Sequence, residues 1–168
     1  WRRFHDDLAE QVEGLSSPDR PIVVIGHSMG GLIVFGAAAA GKIRPAKLVL
    51  SAPALDANVA RWKRAFAPVL SRLVPMLRIP TGIGADVDLG QRLGSEDPDE
   101  PEYLYAVTTR LGDEAFRAQR SARAVVARGG AFPVETLVIH GTGDRLVRPE
   151  WCRPIGTLGG VSYEPLEG

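Results

Sequence analysis

The 168-residue chain has one cysteine, few aromatic residues and no excess of charge of either sign. A lone Cys152 cannot form an internal disulfide, and no Cys/His spacing suggests a zinc site. Twenty basic and 20 acidic residues cancel to a formal net charge of zero, which leaves no electrostatic footprint for nucleic acid. No apolar run is long: the stretch GLIVFGAAAAG at 31–41 falls well short of the roughly 20 residues that span a bilayer and reads as a buried helix. No leader pattern is visible at Trp1, where a Met would open a complete reading frame, and the expectation is a chain with both ends removed. What is present is 45% hydrophobic and 24% charged, the profile of a soluble globular domain with a sizeable core.

Periodicity places the elements. Trp1, Phe4, Leu8, Val12 and Leu15 recur at steps of three and four, one face of an amphipathic helix. PIVVIG at 21–26 and AKLVLSAP at 46–53 are short, branched, nearly all-apolar runs, expected as parallel strands covered on both faces. Between them lies a helix of small residues that can approach a sheet closely, with Gly41 suited to its C-terminal end. Leu55, Val59, Trp62, Phe66, Leu70 and Leu73 mark another helix, bent at Pro68. A Gly/Pro/Asp-rich loop follows over 79–102, then a helical stretch from Tyr103 with a break near Gly112. VETLVIH at 134–140 is a third strand, 150–158 a helix and VSYEP at 161–165 a fourth strand. Strand, helix and strand, a helical insertion, then strand, helix and strand again imply an α/β fold with a parallel sheet.

One short stretch carries chemistry. Gly26-His27-Ser28-Met29-Gly30 fits the G-x-S-x-G nucleophile elbow, and it lies where that motif must lie, between a buried strand and a helix. The serine sits in a strained turn, and the reading expects a Cβ at 26 or 30 to clash. The turn lifts the Ser28 hydroxyl above the strand, and the following helix points its N-terminus at the same spot, so that the backbone N–H of Met29 becomes an oxyanion-hole donor. Asp144, in the loop after the third strand, is the candidate acid; the alternative is a plain turn aspartate. The order of serine first and acid later leaves a histidine expected last.

Together PIVVIGHSMGGLIVFGAAAAG, LVLSAPAL and ETLVIHGTGDRLVRPE resemble the monoacylglycerol lipase and lysophospholipase branch of the α/β hydrolases, grouped with the serine aminopeptidases of S33 type. The resemblance implies a partial α/β-hydrolase fold, with core residues 1–53 and 132–168 and a mostly helical cap, or lid, over 54–131. It implies Ser28 as nucleophile and Asp144 as triad acid, with no cofactor and no metal. Two parts are missing relative to that pattern. A His-Gly stretch supplying the second oxyanion donor would precede Trp1. The triad histidine would follow YEPLEG, a few residues beyond Gly168. Of the histidines present, His27 adjoins the nucleophile but points away from its hydroxyl. His140 is expected to pack below the Asp144 loop, and His5 lies on a helix well before the elbow.

The function implied is a serine ester hydrolase cleaving monoacylglycerol or lysophospholipid esters through an acyl-enzyme. The chain by itself is expected to be inactive for want of a base. Alternatives are a peptidase, thioesterase or acyltransferase on the same fold, or a non-catalytic relative; a peptidase would draw on the acidic run at 96–102 for a substrate ammonium. The partner expected is a small lipid ester. Arg61, Lys63, Arg64 and Arg72 beside the apolar face of the cap helix raise a peripheral contact with an anionic lipid surface, with a solvated helix face as the alternative. The address expected is cytoplasmic, peripheral at a membrane. The first strand, with a bare edge, is expected to make the isolated chain self-associate.

Overall fold

A computed structural model of the chain describes residues 1–17, 19–56, 59–80 and 106–167. The expected loop over 79–102 and its acidic run lie outside these residues, apart from Ile79 and Pro80. Two compact units are present, one of Trp1–Val59 with Ala115–Gly168 and one of Ala60–Glu114.

The first unit is built on four parallel strands, β1 (Val23–His27), β2 (Lys47–Ser51), β5 (Ala131–Gly141) and β6 (Gly159–Leu166), side by side in the order β1-β2-β5-β6. The register sets Ile25 beside Val49, Val49 beside Leu137 and Leu137 beside Ser162. All four strands run the same way, so their carboxyl ends lie along one edge, and the loops at that edge can gather side chains from distant parts of the chain.

Helix α1 (Arg2–Leu15) packs on α2 (Met29–Ala39), and α2 packs on β1, β2 and β5. Its small residues allow the close approach: Ala37 and Ala38 are fully buried. Phe35 stacks on Phe132 with ring centroids 4.8 Å apart, and Leu32, Leu48, Leu50, Val138 and Ile155 complete the core around them. Gly41 ends α2 at φ +68°, its N–H donating to the Ala38 carbonyl while the N–H of Lys42 donates to Ala37. That pair of bonds satisfies carbonyls a helix end leaves open, and the left-handed backbone is why glycine sits there.

Four expectations change. The strands are not buried on both faces. Along β5 the burial alternates residue by residue, and Val23, Ile25 and Leu137 on the other face are exposed. The alternation belongs to a sheet with one covered face. Leu55 is not part of the helix that follows β2; it is 1% exposed in the core, and α3 runs only over Arg61–Leu73. The expected break at Gly112 is absent: α4 (Thr109–Arg128) runs through it. A glycine inside a helix costs about 1 kcal/mol against alanine, which 20 helical residues absorb. The expected helix over 150–158 is one turn of α-helix, α5 (Pro149–Cys152), running into a 3-10 turn at Arg153–Thr157.

The second unit holds α3, with Pro68 inside it, and an antiparallel pair of short strands, β3 (Arg78–Pro80) and β4 (Ala106–Thr108), where the sequence predicts loop and helix. Thr109 ties this pair to the end of α3, its N–H donating to the Leu77 carbonyl at 2.9 Å and its Oγ1 to Val74 at 2.5 Å. Trp62, Phe66, Val69 and Leu73 form one face of α3, each more than half exposed.

Candidate active site

β1 runs directly into α2 with no intervening loop, and Ser28 is the single residue at the junction. Its backbone sits at φ +49°, ψ −116°, a conformation that non-glycine residues occupy only when their surroundings impose it. The imposing contacts are visible. The Ser28 N–H donates to the Ser51 carbonyl at 2.9 Å, so the turn is tied to the end of β2. The Ser28 carbonyl accepts from Leu32 at 3.2 Å, the first bond of α2, and from Ala54 at 2.9 Å.

Two glycines make room for the turn. A Cβ on Gly26 would lie 2.9 Å from the Gly30 carbonyl oxygen and 2.9 Å from the Gly31 Cα. A Cβ on Gly31 would lie 2.9 Å from the Pro53 Cβ. The clash expected at Gly30 does not occur, since nothing stands within 4 Å of a Cβ built there. The crowded partner of Gly26 is thus Gly31, and the only sign of it in the sequence is that the elbow ends in a glycine doublet.

Met29 is the first residue of α2, so its N–H has no acceptor within the helix and sits beside the Ser28 side chain at the positive end of the helix dipole. Ser28 itself is partly accessible. Among the described residues no side chain hydrogen-bonds its hydroxyl.

Asp144 follows β5, on the same edge of the sheet, with β2 lying between β5 and β1. Its Oδ1 accepts from the N–H groups of Leu146 at 2.8 Å and Val147 at 3.0 Å, and its own N–H donates to Gly141. It is a turn aspartate by these bonds, and the same bonds aim the carboxylate. Its Oδ2 lies 3.4 Å from Nε2 of His140. His140 is 1% exposed, and its Nε2 is 2.7 Å from the Val147 carbonyl. A carbonyl only accepts, so Nε2 carries the proton, and His140 clamps both ends of the turn that holds Asp144.

The other histidines are engaged elsewhere. His27 places Nδ1 3.1 Å from the Ser51 hydroxyl, linking β1 to β2. His5 lies on α1 against Gly36 of α2. Cys152 is fully buried with Sγ 3.0 Å from the Pro53 carbonyl, and burial pushes its thiol up to about 12, so it stays protonated and unreactive. Among the described residues no cluster of His, Cys, Asp and Glu could hold a metal ion, and no helix is long and apolar enough to cross a membrane.

A parallel sheet flanked by helices, with a strained serine at the junction of its edge strand and a close-packed helix, defines an α/β hydrolase. Comparison with known proteins narrows this. Residues 1–153 match the model of the serine aminopeptidase, S33, family, and the chain belongs to that family. A monoacylglycerol lipase of Mycolicibacterium smegmatis is 31% identical over 166 residues, covering 87% of this chain and 56% of the lipase. In the solved structures, a monoacylglycerol lipase of Paleococcus ferrophilus superposes with a TM-score of 0.74 at 23% identity, covering 99% of this chain and 63% of that one. A type II thioesterase of the yersiniabactin pathway shares the fold at a TM-score of 0.54 and 19% identity. The chain thus spans a little over half of the lipase's length.

Proposed function

We propose that this chain carries the nucleophile and the acid of a serine ester hydrolase whose substrates are monoacylglycerols or lysophospholipids. The observation that carries the reading is Ser28, held at φ +49° where the edge strand meets the unpaired N–H groups that begin α2. In the proposed reaction Ser28 Oγ attacks the ester carbonyl carbon. The oxygen that becomes negative is met by the Met29 N–H. The alcohol leaves with a proton, and water then attacks the acyl-serine to release the fatty acid. Asp144, its Oδ1 already occupied by two backbone N–H groups, has Oδ2 to orient the imidazole that shuttles the proton. His27 is bonded to Ser51, His140 to the Val147 carbonyl, and His5 is packed against Gly36 of α2, so the proposal gives this role to none of the three.

The second unit is read as part of the cap. The exposed Trp62, Phe66, Val69 and Leu73, with the exposed Lys63 and Arg72 beside them, suit it to an acyl chain or to an anionic lipid surface. The lipase names of the relatives support the substrate class.

The test is turnover of a medium-chain monoacylglycerol by the full-length protein and its variants. Ser28→Ala is expected to lower kcat by about a thousandfold or more, and Asp144→Asn by a smaller factor. Turnover that survives in the Ser28 variant would remove the hydrolase reading. A thioester cleaved much faster than the glycerol ester would move it to the thioesterases. The 168-residue chain alone is expected to show no Ser28-dependent turnover.

A further inference from the structure

The short loop after β2, residues 52–56, meets the elbow at two points, Pro53 against Gly31 and Ala54 at the Ser28 carbonyl. It opens on Ala52, which sits at φ +42° directly before a proline, a conformation a residue in that place adopts only when held there. The Ala52 N–H donates to the Ile139 carbonyl at 2.9 Å, anchoring the loop to β5. Pro53 fills the space that Gly31 leaves open. The Ala54 N–H donates to the carbonyl of Ser28 at 2.9 Å. The loop is therefore the wall against which the strained serine turn is pressed.

Two side chains of α4 hold the loop as well, beside the Cys152 thiol at the Pro53 carbonyl. Gln119, 4% exposed, donates from Nε2 to the Ala54 carbonyl at 3.1 Å. Arg123 donates from Nη1 both to the Leu55 carbonyl at 3.4 Å and to Oδ2 of Asp56 at 2.5 Å. The two side chains are one helical turn apart and reach the loop from one face. Burying a glutamine costs free energy unless it is bonded, and this one spends its amide N–H on the loop while its Oε1 finds no partner. We infer that Gln119 and Arg123 are positioning residues, which brace loop 52–56 and through the Ala54 N–H hold the Ser28 turn in its reactive geometry. The inference rests on the reading of Ser28 as the nucleophile, but the brace can be measured apart from it.

The reasoning predicts a local effect. With the brace cut, the strained turn relaxes by letting Ala54 and the Ser28 carbonyl part, while the sheet beneath keeps its own hydrogen bonds. Native-state amide exchange on the 168-residue chain reads this directly. In Gln119→Leu and in Arg123→Met the Ala54 amide is expected to exchange about tenfold faster or more, with Leu50 and Val138 of the core strands unchanged. Arg123→Lys, which keeps a cation opposite Asp56, restores much of the protection. Unchanged exchange at Ala54, or a loss shared equally with Leu50 and Val138, would overturn the brace. On the full-length protein the same cut is expected to lower kcat about tenfold with KM within about twofold, since the substrate contacts remain. An unchanged kcat would show that the brace does not serve the nucleophile. If turnover proves independent of Ser28 altogether, the hydrolase reading fails while the exchange result still decides the brace.

Discussion

At the scale of single residues, the elbow separates two glycines that look alike in the sequence. Gly26 faces the backbone of α2 at 2.9 Å, and backbone cannot step aside as a flexible side chain can. Gly26→Ala is expected to destabilise the fold by about 1–3 kcal/mol, as overpacking does, and to disturb the Ser28 turn with it. Gly30 lies in the first turn of α2 with open space around it. Gly30→Ala is expected to be neutral or to stabilise by up to about 1 kcal/mol, through helix propensity. Urea unfolding of the two variants beside the parent chain checks both, and equal losses at 26 and 30 would contradict the geometry. The pentapeptide made Ser28 and its neighbours legible because its spacing encodes a local turn. It could not say which glycines are crowded, since that depends on how α2 turns back over Gly26 and on Pro53, from another part of the chain, meeting Gly31. His140 was legible only as a packing residue. Its bond to the Val147 carbonyl and its place beside Asp144 depend on how the loop folds back over β5.

At the scale of elements, the four parallel strands and α2 were readable because their signals are local: branched apolar runs, and small residues ended by Gly41. The misread elements were those whose signal is settled by tertiary contact. Leu55 continues the helical spacing of Trp62 and Phe66, yet the core claims it. Gly112 reads as a breaker, yet α4 carries through it. The packing of α1 on α2 has a consequence of its own. His5 lies so close to Gly36 that a Cβ there would come within 3.0 Å of its Nε2, and that nitrogen has no hydrogen-bond partner. Burial, then the nearby Lys42, hold the His5 imidazole below its ordinary 6.5. The neutral form is therefore the one that fits the fold. As pH falls through 6.5 the unfolded chain takes up a proton that the folded chain still refuses, so stability declines; the decline levels off below the lowered folded value. Asp6 titrates in a separate, more acid window, where Lys42 holds its carboxyl below the ordinary 3.8. Stability measured between about pH 7.5 and 5.5 should fall, and His5→Gln should flatten part of that slope. A slope identical in both proteins would assign the decline to other groups.

At the scale of the whole molecule, the four-stranded sheet has one covered face and, among the described residues, two edge strands, β1 and β6. α1 and α2 lie over that face, and the buried alternation of β5 records it. On the other face Ile25, Val49 and Leu137 form a row across three strands, with Ile25 71% exposed, and among the described residues β1 is hydrogen-bonded along one side only. An apolar strand with an open ladder and an apolar outer face is the arrangement that pairs most readily with another chain. The 168-residue chain by itself is therefore expected to self-associate as its concentration rises. The cause can be separated from general instability. Ile25→Lys places a charge on the exposed face and leaves the side of the partly buried Val24 and the buried Gly26 untouched, so it should reduce association without lowering the unfolding midpoint. Light scattering over a concentration series, run beside thermal melts of both proteins, reads the two effects independently. A parent chain that stays monomeric at all concentrations would mean that the exposed row is covered in solution. A variant that associates as strongly as the parent would move the sticky surface away from β1 and toward the apolar face of α3, where Trp62, Phe66 and Leu73 are also exposed. That outcome would bear on the proposed lipid contact as well, because the face that joins two copies in water is the face that an acyl surface would cover.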